Sequence, residues 1–173
     1  MNTDLHFSSK NSNWQTPKAL YEYLDREFHF VWDVACTSEN CLAPFGFYHD
    51  YGVDALKADW SCDENYGGLK KTCFMNPPYS RAIVKWIEKA YKESEKGCTV
   101  VCLLPARPDT KWFQEYCAKG DIWFIEGRLT FYDPMQPDMS ASAPFPSCIV
   151  IFSPNMISNT LYWRKKNQSW RQK

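Results

Sequence analysis

Residues 74–80 read Phe74-Met75-Asn76-Pro77-Pro78-Tyr79-Ser80, and the paired prolines at their centre constrain the fold more than any other stretch. Proline fixes φ and offers no N–H, so no regular element runs unbroken through Pro77-Pro78. Pro77 also holds Asn76 in extended backbone. The apolar pair Phe74-Met75 reads as the buried end of a strand. After the corner, Ser80 is a candidate N-cap for a helix through Lys96, with Ile83, Ile87, Ala90, Tyr91 and Ser94 as its inner stripe and Gly97 as its stop. A strand that ends in a rigid turn and feeds an amphipathic helix is the repeating unit of an α/β sheet.

The rest of the chain fits that class. Gln15-Thr16-Pro17 starts a helix, with Thr16 as N-cap, Pro17 at the first helical position, and Leu20, Tyr21, Leu24 and Phe28 at helical spacing. Buried strands are expected at His29–Cys36, Thr99–Leu104, Asp121–Ile125 and Ser147–Phe152, the last antiparallel to a neighbour. A helix over 109–119 turns Trp112, Phe113, Tyr116 and Cys117 inward. Residues 37–73 read as irregular, with Gly67-Gly68 as a turn. Residues 133–147, holding four Pro, three Ser and two Met, read as a flexible loop. Lys85, Lys89, Lys92 and Lys96 among Glu88, Glu93 and Glu95 read as the solvated face of the helix after Ser80. Residues 1–13 are expected to be a flexible tail, residues 14–154 the domain, and residues 155–173 a basic tail. In that tail Arg164, Lys165, Lys166, Arg171 and Lys173 alternate with Trp163 and Trp170, which suits phosphate contact and equally a solubilising terminus.

A chain of 173 residues is expected to form one compact domain. Its 20 basic and 20 acidic side chains balance, so any nucleic-acid surface is local rather than a global field. Eight cysteines without a C-x-x-C pair or a signal peptide point to reduced, cytosolic thiols. Cys36, Cys41, His49 and Cys62 lack the paired spacing of a structural zinc site and read as a set without metal. The apolar runs are too short for a membrane-spanning helix.

The proline corner also suits one chemistry. An exocyclic amine such as N6 of adenine is a poor nucleophile, because its lone pair is delocalised into the ring. Two acceptors, the Asn76 side-chain oxygen and the Pro77 carbonyl, match its two N–H groups and would draw the nitrogen toward tetrahedral geometry. Pro78 stiffens the corner, and Tyr79 offers a flat face for a base taken out of the duplex. Such catalysis relies on positioning and preorganised dipoles. A Pro-rich turn carries the same letters, so the motif gains meaning only beside a methyl-donor site. Asp33-Val34-Ala35-Cys36, at a strand's carboxyl end, is either the edge of such a pocket or a core strand with a capping Asp. Asp54 and Asp59 are either acceptors for a cofactor's hydroxyls or amine, or solvated loop carboxylates.

Taken in order, these pieces resemble the phage-type DNA N6-adenine methyltransferases (the Dam-like family) from about Trp14 to Pro154. The resemblance is carried by Trp14-Gln15-Thr16-Pro17, Trp32-Asp33-Val34-Ala35, Asp54-Ala55-Leu56 with Trp60, and Asn76-Pro77-Pro78-Tyr79-Ser80. It continues through Leu104-Pro105-Ala106-Arg107 with Asp109-Thr110 and Trp112-Phe113, then Gly127-Arg128-Leu129-Thr130-Phe131. It implies a compact, Rossmann-like class I methyltransferase using S-adenosylmethionine, with a mixed sheet and an antiparallel strand near the C-terminus. Thr16, Pro17, Asp33 and Ala35 would line the methionine side of the donor pocket and Asp54 its nucleoside side. Asn76, Pro77, Pro78 and Tyr79 would hold the target adenine, Asn76 also facing the donor, with Arg128 and Phe131 on the substrate side. Double-stranded DNA with a GATC-like site would be the partner, without a membrane or an obligate protein partner, in the host cytoplasm for a phage-encoded, restriction–modification type of enzyme. Two departures stand out. The donor-site glycines are absent, and only 42 residues separate Asp33 from Asn76, tight for two strand–helix units. The alternatives are an amino-methyltransferase acting on RNA or protein glutamine, and a non-catalytic nucleic-acid-binding or anti-restriction module on a decayed fold.

Overall fold

The computed structural model describes residues 15–60, 71–133, 136–154 and 161–165. The expected tail at 1–13, Trp14, Cys62, Gly67-Gly68, Lys166, Trp170, Arg171 and Lys173 lie outside the described residues. Helix α1 (Lys18–Phe28) is followed by strands β1 (Trp32–Cys36), β2 (Phe45–Tyr48) and β3 (Thr72–Met75), then α2 (Ile83–Glu95) and β4 (Thr99–Pro105). The chain continues through α3 (Lys111–Glu115), β5 (Asp121–Glu126), the hairpin β6 (Thr130–Asp133) and β7 (Gln136–Ser142), β8 (Ser147–Phe152) and β9 (Leu161–Lys165).

The main sheet has seven strands in the order β2-β1-β3-β4-β8-β5-β9. The first four are mutually parallel. As expected for the C-terminal part of the chain, β8 runs antiparallel, to both β4 and β5. Central strands alternate side chains between two buried faces. One face (Cys73, Met75, Val100, Cys102, Leu104, Val150, Phe152) packs on Ile83, Ile87 and Ala90 of α2 and Phe113 of α3. The other (Phe74, Val101, Leu103, Trp123, Ile149) packs on Leu20, Tyr21 and Leu24 of α1 and on Leu129 and Phe131 beside the hairpin. Among the described residues no helix is long and apolar enough to cross a membrane.

Several elements differ from the sequence reading for identifiable reasons. The strand expected from His29 begins at Trp32, because His29 closes α1 in the left-handed region (φ 52°) with its N–H on the Asp25 carbonyl at 2.8 Å. Thr16 is not an N-cap: the helix starts after Pro17, no side chain caps it, and the Pro17 carbonyl accepts from the Leu20 and Tyr21 N–H groups. The span 37–73 holds a fourth parallel strand, β2, whose Phe47 stacks on Trp32 with ring centroids 5.1 Å apart. The span 133–147 holds β7, paired antiparallel with β6 off the main sheet. Leu161–Lys165, within the expected basic tail, is an edge strand parallel to β5.

The connection from β1 to β2 is short and contains no helix, although parallel neighbours are usually joined by one. The tight spacing between Asp33 and Asn76 is accommodated in part by joining β1 to β2 without a helix.

Glu93 departs most from expectation. It was read as part of a solvated face, yet it is fully buried. Its Oε1 takes Lys89 at 2.6 Å and Lys96 at 2.9 Å, and its Oε2 accepts the Trp60 backbone N–H at 3.1 Å. Trp60, itself buried, donates its indole N–H to the Ala55 carbonyl at 2.8 Å. The loop 54–60 is thereby pinned to α2 through one carboxylate. Replacing it removes the acceptor for a buried N–H and leaves Lys89 without its anion. Glu93→Ala is expected to lower the unfolding free energy by about 3 kcal/mol, measured by urea denaturation.

Candidate active site

β1 lies between β2 and β3, and the chain leaves it first toward β2 and then returns to β3. Ligands of open α/β sheets bind where strand order reverses in this way, beyond the carboxyl ends of the strands. A cleft of about 860 Å³ opens at this point, walled by residues before α1, at the ends of β1 and β3, and in the helix-free β1–β2 connection. Its size falls within the usual range for small-molecule sites, roughly 300–1,000 Å³.

Asn76 follows the last residue of β3 and lines the cleft. Its Nδ2 donates to Thr16 Oγ1 at 3.0 Å, and Thr16 is itself buried and in the cleft wall. Thr16 thereby holds the amide by its nitrogen. Pro78 also lines the cleft. Pro77 is buried, and among the described residues nothing donates to its carbonyl, since the Ser80 N–H goes to the Pro78 carbonyl at 2.8 Å.

Asp33 pairs across the sheet with Phe74, two residues before Asn76, and faces the same cleft. It is buried, its Oδ1 accepting from the Ala35 N–H and its Oδ2 from the Leu42 N–H, each at 3.2 Å. Burial raises its carboxyl pKa to about 6, against the opposing pull of those two N–H groups. Ala35 and Asp54 share the cleft wall. Asp54 is exposed and ion-paired with Lys57 at 3.1 Å, which holds its carboxyl below the usual range. Asp59 lies apart from the wall, 3.6 Å from Lys96.

The residues expected on the substrate side lie elsewhere. Tyr79 is half-buried, donates its hydroxyl to the Leu103 carbonyl at 3.2 Å, and makes edge contacts with Phe131 at 6.3 Å and Phe145 at 5.5 Å. Desolvation pushes its phenol far above the ordinary range. Phe131 is buried behind it. Arg128 is exposed, one residue past the left-handed Gly127, and is not in the cleft wall. Pro17 sits beneath the start of α1, also outside the wall. The structure therefore brings Thr16, Asp33, Ala35, Asp54, Asn76 and Pro78 to one cleft, and sets Tyr79 and Phe131 on the adjoining side of the corner.

Sequence reading missed Phe47, Trp86, Glu22 and Glu39 in the cleft wall. Helical periodicity gives a signal for Glu22, one residue after inward-facing Tyr21, and Trp86 precedes Ile87 in the same way. Phe47 and Glu39 lie in a span without periodicity. Cys36 and Cys41 also reach the cleft, and with Asp33 their ligand atoms lie within 4.8 Å of one another. Each thiol donates to a carbonyl at 3.4 Å, Cys36 to Asp33 and Cys41 to Ala43. Every cysteine among the described residues is a free thiol.

The protein is a mixed α/β sheet with a cleft at its switch point, and its Asn-Pro-Pro-Tyr corner contributes Asn76 and Pro78 to the cleft wall. The family model described as DNA N-6-adenine-methyltransferase (Dam) matches residues 4–171, and the chain belongs to that family. It is 30% identical over 119 residues to the DNA N-6-adenine-methyltransferase of Escherichia phage T1, covering 68% of this chain and 46% of that protein. To the DNA N-6-adenine-methyltransferase of Haemophilus phage HP1 (strain HP1c1) it is 26% identical over 145 residues, 82% of this chain and 78% of the relative. The chain thus spans about half the length of the T1 protein (46%).

The raised Asp33 pKa has a defined consequence. The folded state holds this proton more tightly than the unfolded chain, whose carboxyl has its ordinary value of 3.8. The stabilisation is complete below that value and is lost as pH rises through about 6. Asp33→Asn is expected to remove about 3 kcal/mol of the stability decline between acid and neutral pH, read from urea denaturation of both proteins across that range.

Proposed function

We propose that this protein transfers a methyl group from S-adenosylmethionine to N6 of adenine in double-stranded DNA, on a Rossmann-like class I fold. The observation that carries the reading is Asn76, held by Thr16 in the wall of a switch-point cleft directly after a proline-locked strand end. Support for the fold class comes from the parallel strands β2, β1, β3 and β4, the reversal at β1, and antiparallel β8. The GATC-like target and the duplex substrate rest on the family resemblance.

The cleft suits the donor. Glu22, Asp33, Glu39 and Asp54 line it with acidic groups that match the donor's ammonium and sulfonium, and Phe47 and Trp86 give it aromatic walls. The small side chain of Ala35 leaves backbone close to the ligand in place of the missing glycines. When bound, S-adenosylmethionine supplies an electrophilic methyl on sulfur.

Asn76 Oδ1 and the Pro77 carbonyl oxygen accept the two N–H groups of the target amine. The nitrogen lone pair is then turned out of the ring plane toward the cleft. Because Pro77 and Pro78 restrict the backbone and Thr16 restricts the amide, both acceptors are placed before substrate arrives. Tyr79, tethered through its hydroxyl to Leu103, gives the base an aromatic surface. No strong general base is required, since the nitrogen becomes acidic as it takes the methyl and its proton leaves to water.

Labelled donor incubated with duplex DNA, RNA and protein, followed by mapping of the modified base, tests the reading. Label in N6-methyladenine of duplex DNA is expected; label confined to RNA or glutamine would move the substrate, and failure to bind donor in calorimetry would remove the enzyme. Asn76→Ala is expected to lower kcat by about 100-fold or more while calorimetry still detects the donor. Full activity in that variant would remove the mechanism. Thr16→Val, which takes away only the anchor of the amide, is expected to lower kcat about tenfold with the fold retained by circular dichroism.

A further inference from the structure

The ring assigned to the target base is bordered by two other aromatic residues, and they differ in accessibility. Phe131 is buried, and its strand is fixed in the β6–β7 hairpin. Phe145 is half-buried and lies outside any strand, between Pro144 and Pro146. Its centroid is 5.5 Å from that of Tyr79, with the ring planes at 69°. The Arg107 guanidinium carbon stands 5.7 Å from the centre of the Phe145 ring. Arg107 is exposed, and among the described residues no carboxylate is paired with it.

The backbone fixes this row of groups. Arg107 follows the carboxyl end of β4, and the Ala106 N–H donates to the Pro146 carbonyl at 2.8 Å, joining the segment of Arg107 to that of Phe145. The Arg107 carbonyl is held by the Thr110 N–H at 3.0 Å and hydroxyl at 2.7 Å. Two flanking prolines limit the backbone freedom of Phe145. A tethered ring, an accessible ring and a guanidinium are thus ordered outward from the corner that carries Asn76. An unstacked nucleotide presents the complementary order: a flat base joined through its sugar to a phosphate. Aromatic rings and arginine together are the usual surface for such a nucleotide.

We propose that Phe145 and Arg107 form a nucleotide-binding element at the rim of the target-base site, Phe145 contacting the extrahelical adenine and Arg107 the adjoining DNA phosphate. Phe131 then backs Tyr79 from the interior. The element rests on the reading of Asn76 to Tyr79 as the target-base site.

The test uses the full chain and a short duplex carrying the adenine mapped in the methylation assay, together with the same duplex in which that adenine is mispaired. Phe145→Ala is expected to lower kcat/KM on the paired duplex about tenfold or more, with donor affinity unchanged. The loss should shrink on the mispaired duplex, where less is spent on unpairing the base. Phe145→Tyr should restore most of the activity. Arg107→Ala should weaken duplex binding and reduce the slope of log K against log salt by about 0.9, and Arg107→Lys should retain the slope. Wild-type kinetics in Phe145→Ala, an equal loss on both duplexes, or an unchanged slope in Arg107→Ala would each overturn the element. A wild-type protein that methylates no adenine in DNA would instead defeat the reading beneath it.

Discussion

The structure depends on a strand that is not allowed to continue. Thr72–Met75 is buried on both faces, and Pro77-Pro78 stop it where the sheet meets solvent. The Asn76 amide emerges at that point, and its hydrogen bond to Thr16 ties the corner to the segment that begins α1. α1 packs on the face of the sheet that holds Phe74, so core packing on one side positions both partners of this bond. A polar contact in the cleft wall is therefore set by apolar burial behind it, at little entropic cost to the side chains involved.

A second chain of contacts reaches the opposite wall. Glu93 on α2 accepts from Trp60, Trp60 donates to Ala55, and Ala55 follows Asp54 in the cleft lining. A buried carboxylate is costly to desolvate, and here two lysines and a backbone N–H compensate it. The gain is placement: a loop built on its own turn hydrogen bonds is tied through Trp60 to a helix. The wall that holds Asn76 and the wall that holds Asp54 thus depend on separate supports.

What could be read in the sequence was what depends on local pattern. The strand ends carrying Asp33 and Asn76, the helix stripe of Ile83, Ile87 and Ala90, and the antiparallel return at Ser147–Phe152 all follow from hydrophobic period and breakers. What could not be read depends on partners distant along the chain. Glu93 looked solvent-facing because its charge pattern matched that of its neighbours, and only Trp60 explains its burial. Thr16 before Pro17 has the letters of a helix cap, but its hydroxyl is engaged by Asn76, sixty positions on. β7 was hidden by Pro137 and a polar composition that suits a strand outside the main sheet. The relation of Phe145 to Tyr79 has no sequence period, since it is made by a β4-end contact.

The helix-free connection between β1 and β2 has a further meaning. Most parallel sheets close such a corner with a helix, and the edge strand leans on it. Here β2 sets Phe45 and Phe47 against Trp32, and Phe47 also lines the cleft, so a small molecule seated there would also act as packing for the strand. Ligand capture and the cohesion of the sheet's margin would then be one thermodynamic event, with an edge strand completed by whatever molecule fills the cleft.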